Sequence, residues 1–282
     1  MTMREQRVLI AGCGDVGTQL GTRLSARGAQ VFGLRRTINQ LPAGIHGIGA
    51  DLTDPLTLER LPACDWVFYT AAAGGGDPEQ YRRTYLEGLH HLLRALPHPP
   101  RHLFLTSSSR VYAQSEHDWV DEQSVTEPAS EQARILLASE RLALESGIPA
   151  TVVRFSGIYG PSRQRFLEEV LEGRMNPQPP APFSNRIHEV DAANAVAWLA
   201  QKALNGEDLE PLYVASDCEP VRLDEVVDWV RSQVPCKAPV EGARKGGRAG
   251  SKRCSNRKLL QSGFEFRYPD YRAGYREMIS KL

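Results

Sequence analysis

Four short stretches hold residues whose types and spacing could do chemistry. "IAGCGDVGTQLG" sets Gly12, Gly14 and Gly17 in G-x-G-x-x-G spacing between an apolar run and an amphipathic one. There Gly12 permits a tight turn, Gly14 a close approach of pyrophosphate to backbone, and Gly17 the packing of helix on strand. The helix opening at Asp15 and Val16 offers N–H donors and positive partial charge to a phosphate. Cys13, inside the loop, reads as a small filler residue with no redox role. "VFGLRRT" ends the second apolar run with Arg35 and Arg36 and no carboxylate. A carboxylate there would accept from the ribose 2′-hydroxyl of NAD, whereas arginine accommodates the 2′-phosphate of NADP. NADP is therefore the favoured form of an NAD(P) cofactor, and the plain alternative is two solvated arginines on a turn. "GADLTD" adds Asp51, an acceptor for the adenine amino group or else a helix cap, and Leu52, placed to pack on the ring. The fourth stretch, "TSSSRVYA" (106–113), reads as the end of a buried strand followed by a serine-bearing turn.

These residues need a scaffold that brings strand ends together. Strand-like runs occupy 7–12, 29–34, 44–50, 65–71, 102–107 and 150–155, with helix-like segments at about 15–27, 78–95 and 130–146. Such alternation predicts an α/β chain with a doubly wound parallel sheet covered on both faces, a Rossmann fold with its ligand beyond the carboxyl ends of the strands. After residue 156 the pattern changes. The proline-rich stretch 173–186 is expected to be a loop. A helix (190–204), a strand (211–216) and a second helix (222–234) follow, and the Gly-rich, basic stretch 241–258 reads as a solvated, mobile loop. The division expected is a nucleotide-binding domain of residues 1–155, to which 186–216 return, and a smaller C-terminal lobe of 156–185 and 217–282.

At 282 residues the chain can bury a sizeable core. Lys plus Arg and Asp plus Glu both number 34, so overall charge points to neither nucleic acid nor membrane. No apolar run approaches the ~18 residues of a membrane span. The chain enters a strand at once, and no signal peptide is expected. Five scattered cysteines without a CxxC pair favour free thiols in a reducing cytoplasm over a disulfide or metal framework.

Taken together, these stretches resemble the short-chain dehydrogenase/reductase superfamily, in its extended, sugar-nucleotide epimerase/dehydratase-like branch, over nearly the whole chain. "DWVFYTAAAGGG" resembles the family's fourth strand, which implies that Ala71, Ala72 and Ala73 lie along the cofactor. "FLTSSSRVYA" resembles the fifth strand and catalytic-serine turn. Counting back three residues from Val111 gives Ser108 as the serine that holds the substrate oxygen, with Ser107 and Ser109 as near alternatives and Ser107 beside the cofactor. "VVRFSGIYGP" resembles the sixth strand and the segment passing the nicotinamide. "RIHEVDAANAVAWL", "PLYVASDCEPVRLDEVV" and "SNRKLLQSGFEF" resemble the family's return to the sheet, its last strand and helix, and its C-terminal segment. The resemblance implies a substrate lobe after the sixth strand, with the Pro-rich loop near 176–184 as a cover and Arg163 and Arg165 meeting an anionic group. It also implies a possible homodimer through the helices at 78–95 and 130–146.

The family's next helix reads P-x-x-x-Y-x-x-x-K-x-x-x-E, its Tyr a general acid/base and its Lys one turn later lowering the Tyr pKa. A phenol near pKa ~10 is otherwise a poor base at neutral pH. Anchoring on Pro128 and Glu140 puts Gln132 at the tyrosine position and Leu136 at the lysine position. Tyr112 lies in the serine turn and does not replace the pair. Candidate substitutes are Arg134, acting electrostatically on substrate or cofactor, Gln132 itself, Glu131 and His188. The combination resembles the atypical members of the superfamily, in particular the YeeZ-like group. Two functions follow. One is an NAD(P)-dependent oxidoreductase, epimerase or dehydratase-like enzyme acting on a polar, nucleotide-sugar-like small molecule. The other is a non-catalytic NADP-binding sensor.

Overall fold

β1 (Arg7–Ala11) leads the chain straight into the middle of a sheet. Its last four residues are buried, as an apolar strand flanked on both sides must be. The computed structural model describes residues 3–245 and 250–282. Around β1 lie β2 (Gln30–Arg35), β3 (Ile45–Gly49), β4 (Trp66–Tyr69) and β5 (His102–Ser108). With Ala150–Phe155 and Leu212–Ala215 they make a seven-stranded sheet. Its spatial order is Leu212–Ala215, Ala150–Phe155, β5, β4, β1, β2, β3. β1 pairs in parallel with β2 on one side and β4 on the other, so the order of travel reverses there. That reversal is the switch point at which open parallel sheets bind ligands. The expected doubly wound α/β fold is present.

Side chains alternate across the sheet with period two. Leu9, Ala11, Val67, Tyr69, Leu103 and Leu105 form one core with Leu89, Leu92 and Ala143 from the covering helices. Val8, Ile10, Phe68 and Phe104, from the intervening positions, are equally buried. Both faces are therefore covered. α1 (Asp15–Ala26) buries Val16, Leu20 and Leu24, a stripe at helical spacing.

The single helix expected over 78–95 is divided. Pro78–Tyr81 and Gly88–Ala95 are α-helical, but Arg82–Glu87 between them is a π-helix. The helix Glu131–Leu144 starts where the sequence suggests, with the Ser130 hydroxyl accepting from the Ala133 N–H.

The chain divides into two compact units. The first comprises Met1–Val111, Pro128–Arg154 and Ala193–Tyr213, and the second Tyr112–Glu127, Phe155–Ala192 and Val214–Leu282. Within the second unit, Tyr159, Leu167, Val170, Val226, Val230, Tyr271, Tyr275 and Met278 form a core of their own.

Two expectations for the second unit are corrected. The Pro-rich stretch is no free cover. Met175 and Ala181 sit in that core, the Ala181 N–H donates to Asp224 at 3.2 Å, and Phe183–Ser184 pairs antiparallel with Val221–Arg222. Proline excludes helix but not a pinned, extended path. The basic stretch is not a solvated loop throughout either. Residues 246–249 lie outside the described residues, but Lys252–Cys254 pairs in parallel with Asp118–Val120. Lys252 is buried, its ammonium donating to the Tyr112 carbonyl at 3.0 Å. Charge counted along the sequence did not reveal that carbonyl partner.

Candidate dinucleotide site and serine turn

The three loop glycines, all in the first unit, answer to different neighbours. Gly12 has φ +86°, and a Cβ there would lie 2.3 Å from the Ala71 Cα. A Cβ on Gly17 would lie 2.6 Å from the Thr70 hydroxyl and 2.9 Å from the Gly12 carbonyl. Gly14 is unlike both. Its φ of −87° suits any residue, and a Cβ would meet only the Gly12 carbonyl, at 4.0 Å. Among the described residues, none would clash with a Cβ there. No side chain caps the start of α1, so that end keeps the partial charge that favours anions.

The loop is fastened on two sides. Gly12 and Cys13 N–H groups donate to the Leu34 carbonyl at 3.0 and 2.9 Å. The Thr70 hydroxyl donates to the Gly12 carbonyl at 2.9 Å. Thr70 was not singled out from sequence, although it directly follows β4 in "YTAAA". Cys13 is fully buried, and burial pushes its thiol above the usual range despite the Thr18 hydroxyl and the Arg35 charge. Little thiolate forms, in keeping with a filler residue. Ala71 is buried beside Gly12, whereas Ala72 is exposed and Ala73 half-buried.

Arg35 closes β2 and donates to the Gln40 side chain at 2.8 Å, while Arg36 is exposed. Asp51 accepts from both the N–H and the hydroxyl of Thr53, each at 2.9 Å. Partial burial would raise its pKa, but those two bonds and the charges of Arg36 and Arg83 bring it below the ordinary value. Asp51 thus organises a local turn, and the helix-cap role belongs to Asp54, which accepts from Leu56. Leu52 is corrected. It packs in the core with Tyr69 and Leu89, so its side chain is committed to the protein.

The serine turn separates its hydroxyls. Ser107 is buried and donates to Glu140 at 2.5 Å, and Glu140 in turn receives Arg154 through Nε at 3.0 Å and Nη2 at 2.6 Å. This corrects Ser107 as a cofactor contact, because the alternation of β5 turns it inward. Ser108, on the other face, is half-buried and accepts from the Arg110 N–H at 3.2 Å. Its own O–H remains able to donate. The buried Glu140–Arg154 pair was invisible in the sequence, where Glu140 served only as a motif anchor.

On Glu131–Leu144, Gln132 donates to the Gly76 carbonyl at 2.7 Å, tying the helix to the loop after β4. Leu136 is buried, whereas Arg134 is exposed, and among the described residues nothing engages its guanidinium. Glu131 pairs with Arg82 at 3.3 Å. In the second unit, Tyr112 is buried and donates to the Asp121 carbonyl at 2.7 Å. His188 is buried against Tyr268, and burial pushes its pKa down to about 4. Arg165 pairs with Glu169 at 2.9 Å within its own helix, with its side chain largely exposed.

The comparisons with known proteins agree with this geometry. Curated relatives include the short-chain dehydrogenase/reductase family 42E member 1 of Xenopus laevis, 28% identical over 60% of this chain. The chain spans only 50% of that relative's length. Protein YeeZ of Escherichia coli K12 is 26% identical, over 94% of this chain and 97% of its own. Among solved structures, a candidate NAD-dependent epimerase/dehydratase from Methylobacillus flagellatus is 34% identical, with a TM-score of 0.85 and 98% of each chain covered. MoeE5, solved with UDP-glucose and NAD, is 25% identical at a TM-score of 0.79, with 97% of each chain covered. The family model described as NAD dependent epimerase/dehydratase matches residues 8–215. The chain belongs to the NAD dependent epimerase/dehydratase family.

Proposed function

We propose that the first unit binds NADP and that the protein is an oxidoreductase, epimerase or dehydratase-like enzyme for a polar, nucleotide-sugar-like small molecule. Gly14 carries the cofactor reading. Its φ is negative, among the described residues nothing would collide with a Cβ there, and the space beside it adjoins an uncapped helix start. A glycine with open space where a Cβ would stand fits the close approach of a pyrophosphate. Gly12, Gly14, Asp15, Val16 and Gly17 would hold the diphosphate, with Arg35 and Arg36 toward the ribose phosphate. When bound, the nicotinamide would accept or return a hydride.

Ser108 would donate its free O–H to a substrate oxygen and orient it. Neither Gln132 nor Leu136 has a useful acid–base equilibrium, so proton transfer would run through water or substrate. The second unit would supply substrate recognition. A homodimer through the helices near 78–95 and 131–144, in a reducing cytoplasm, belongs to the same reading. The UDP-glucose and NAD held by MoeE5 support the dinucleotide and nucleotide-sugar parts of this reading and bear on neither the NADP preference nor the dimer.

The competing reading is an NADP sensor without turnover, favoured by the amide of Gln132 on the Gly76 carbonyl and the burial of Leu136. Calorimetric titration with NADP and NAD separates the outcomes. We expect NADP to bind and Gly14→Ala to fold normally but lose at least about tenfold in affinity, the equivalent of ~1.4 kcal/mol. Binding of neither dinucleotide would end both readings. If a substrate is found by screening, Ser108→Ala should remove most turnover with dinucleotide affinity unchanged. Tight NADP binding without any turnover favours the sensor.

A further inference from the structure

The π-helical segment Arg82–Glu87 has an identifiable cause. The buried Tyr69 hydroxyl, at the end of β4, donates to the carbonyl of Thr84. In an uninterrupted α-helix that carbonyl would receive the N–H of Gly88. Here the Gly88 N–H goes instead to the carbonyl of Arg83, one residue further back. Gly88 is fitted to the intruding ring, since a Cβ there would lie 2.7 Å from the Tyr69 oxygen and 3.2 Å from the Leu52 Cβ. A π-segment shifts helical register, and such segments recur at functional sites.

The shifted register delivers Arg83 to one place. Its Nη2 donates to the Thr53 hydroxyl at 3.2 Å, and that hydroxyl donates to Asp51 at 2.9 Å. Its neighbour Arg82 pairs with Glu79 and Glu131. Arg83 and Arg36 are exposed, and among the described residues neither forms an ion pair with a carboxylate. Both charges nonetheless help to hold the Asp51 carboxyl below its ordinary value, and Arg83 reaches the turn after β3 through Thr53. Arg35, at the end of β2, is held to the Gln40 side chain, so two cations act on this one carboxylate. That local excess of positive charge suits a phosphate monoester, which carries about −1.5 to −2 at neutral pH, and is left uncompensated by a ribose hydroxyl.

We infer that Arg83, aimed by the Tyr69-induced π-turn, is a specificity-determining residue for the 2′-phosphate of NADP, acting with Arg35 and Arg36. This rests on the dinucleotide reading of the first unit and adds a contact from the helix after β4 that the end of β2 does not supply. Tyr69 and Gly88 are positioning residues. They act only by setting where Arg83 points.

The test is the ratio of NADP to NAD affinity by calorimetry, with adenosine 2′,5′-bisphosphate and 5′-AMP as simpler probes. Arg83→Gln should weaken NADP and the bisphosphate by about tenfold or more, the loss expected for one charge-assisted bond. NAD and 5′-AMP should be unchanged within about twofold, and Arg83→Lys should recover part of the difference. Tyr69→Phe keeps the buried ring, frees the Thr84 carbonyl for Gly88, and should lower the ratio in the same direction with NAD affinity preserved. An unchanged ratio in Arg83→Gln, or equal losses for NADP and NAD, overturns the inference. So does wild-type protein that binds the two dinucleotides equally, a result that leaves the dinucleotide reading standing. Failure of wild type to bind either one removes both.

Discussion

Asp217 is a carboxyl group that the fold has taken out of water. Burial pushes its pKa up from 3.8 to about 8, only partly opposed by the Arg186 charge and the Glu219 N–H. Among the described residues its second oxygen has no hydrogen-bond partner. Because the folded pKa is the higher one, the folded protein keeps a proton that the unfolded chain releases. The resulting stabilisation is full below about pH 3.8, shrinks as pH rises, and is lost above about pH 8. Asp217→Asn retains an oxygen for Glu219 and cannot ionise. Melting temperature measured from pH 4 to 9 should therefore fall less steeply in the variant, whose advantage over wild type grows with pH. Parallel curves would mean that Asp217 does not titrate between the two states. At this scale the sequence was legible where backbone geometry needs a residue type, as at Gly12. It was not legible where two long-separated groups meet, as at Asp217 and Arg186.

At the scale of elements, the fifth strand and the helix Glu131–Leu144 are joined by a buried polar cluster. Ser107 from β5, Glu140 from the helix and Arg154 from the strand Ala150–Phe155 share one carboxylate, with both charged side chains almost wholly buried. Removing one member of such a pair leaves a buried charge uncompensated, at a cost of about 3–5 kcal/mol. Glu140→Gln should lower the denaturant midpoint accordingly while leaving the slope unchanged. A loss under about 1 kcal/mol, as for an exposed pair, would contradict the buried geometry. Helical spacing alone predicts that residue 140 sits above 136 on one face. It does not say that the carboxylate turns inward to a serine and an arginine. The π-segment was hidden for the same reason, since its cause is a tyrosine on a strand rather than a signal within "RRTYLE".

The first unit of the molecule is assembled from three separate stretches of chain. Residues 193–213 contribute Val196, Leu199 and Ala200, all fully buried, and lead into the edge strand Leu212–Ala215. Its backbone is engaged as well, since the Val152 N–H donates to the Pro211 carbonyl at 2.9 Å. A chain truncated after residue 155 would lack all of this and expose the apolar surface it covers. We expect such a truncation to show no cooperative calorimetric unfolding transition. A sharp endotherm would show that residues 1–155 fold alone. Among the described residues no helix is long and apolar enough to cross a membrane.

The sequence by itself determined the fold class and the location of the glycine loop, because both are written in local terms. Buried parallel strands are continuous apolar runs, helices show their own period, and a positive φ beside a close backbone neighbour selects glycine whatever lies elsewhere. Tertiary structure alone decided which polar groups are already spoken for. It turned Ser107 to Glu140, Leu52 into the core and Lys252 to a carbonyl, and it left the Ser108 hydroxyl and the Arg83 guanidinium beside the open ends of the strands. Those choices depend on contacts between residues tens to more than a hundred positions apart. Charge and hydrogen bonding act through space at a few ångströms, and separation along the chain carries almost no information about that distance.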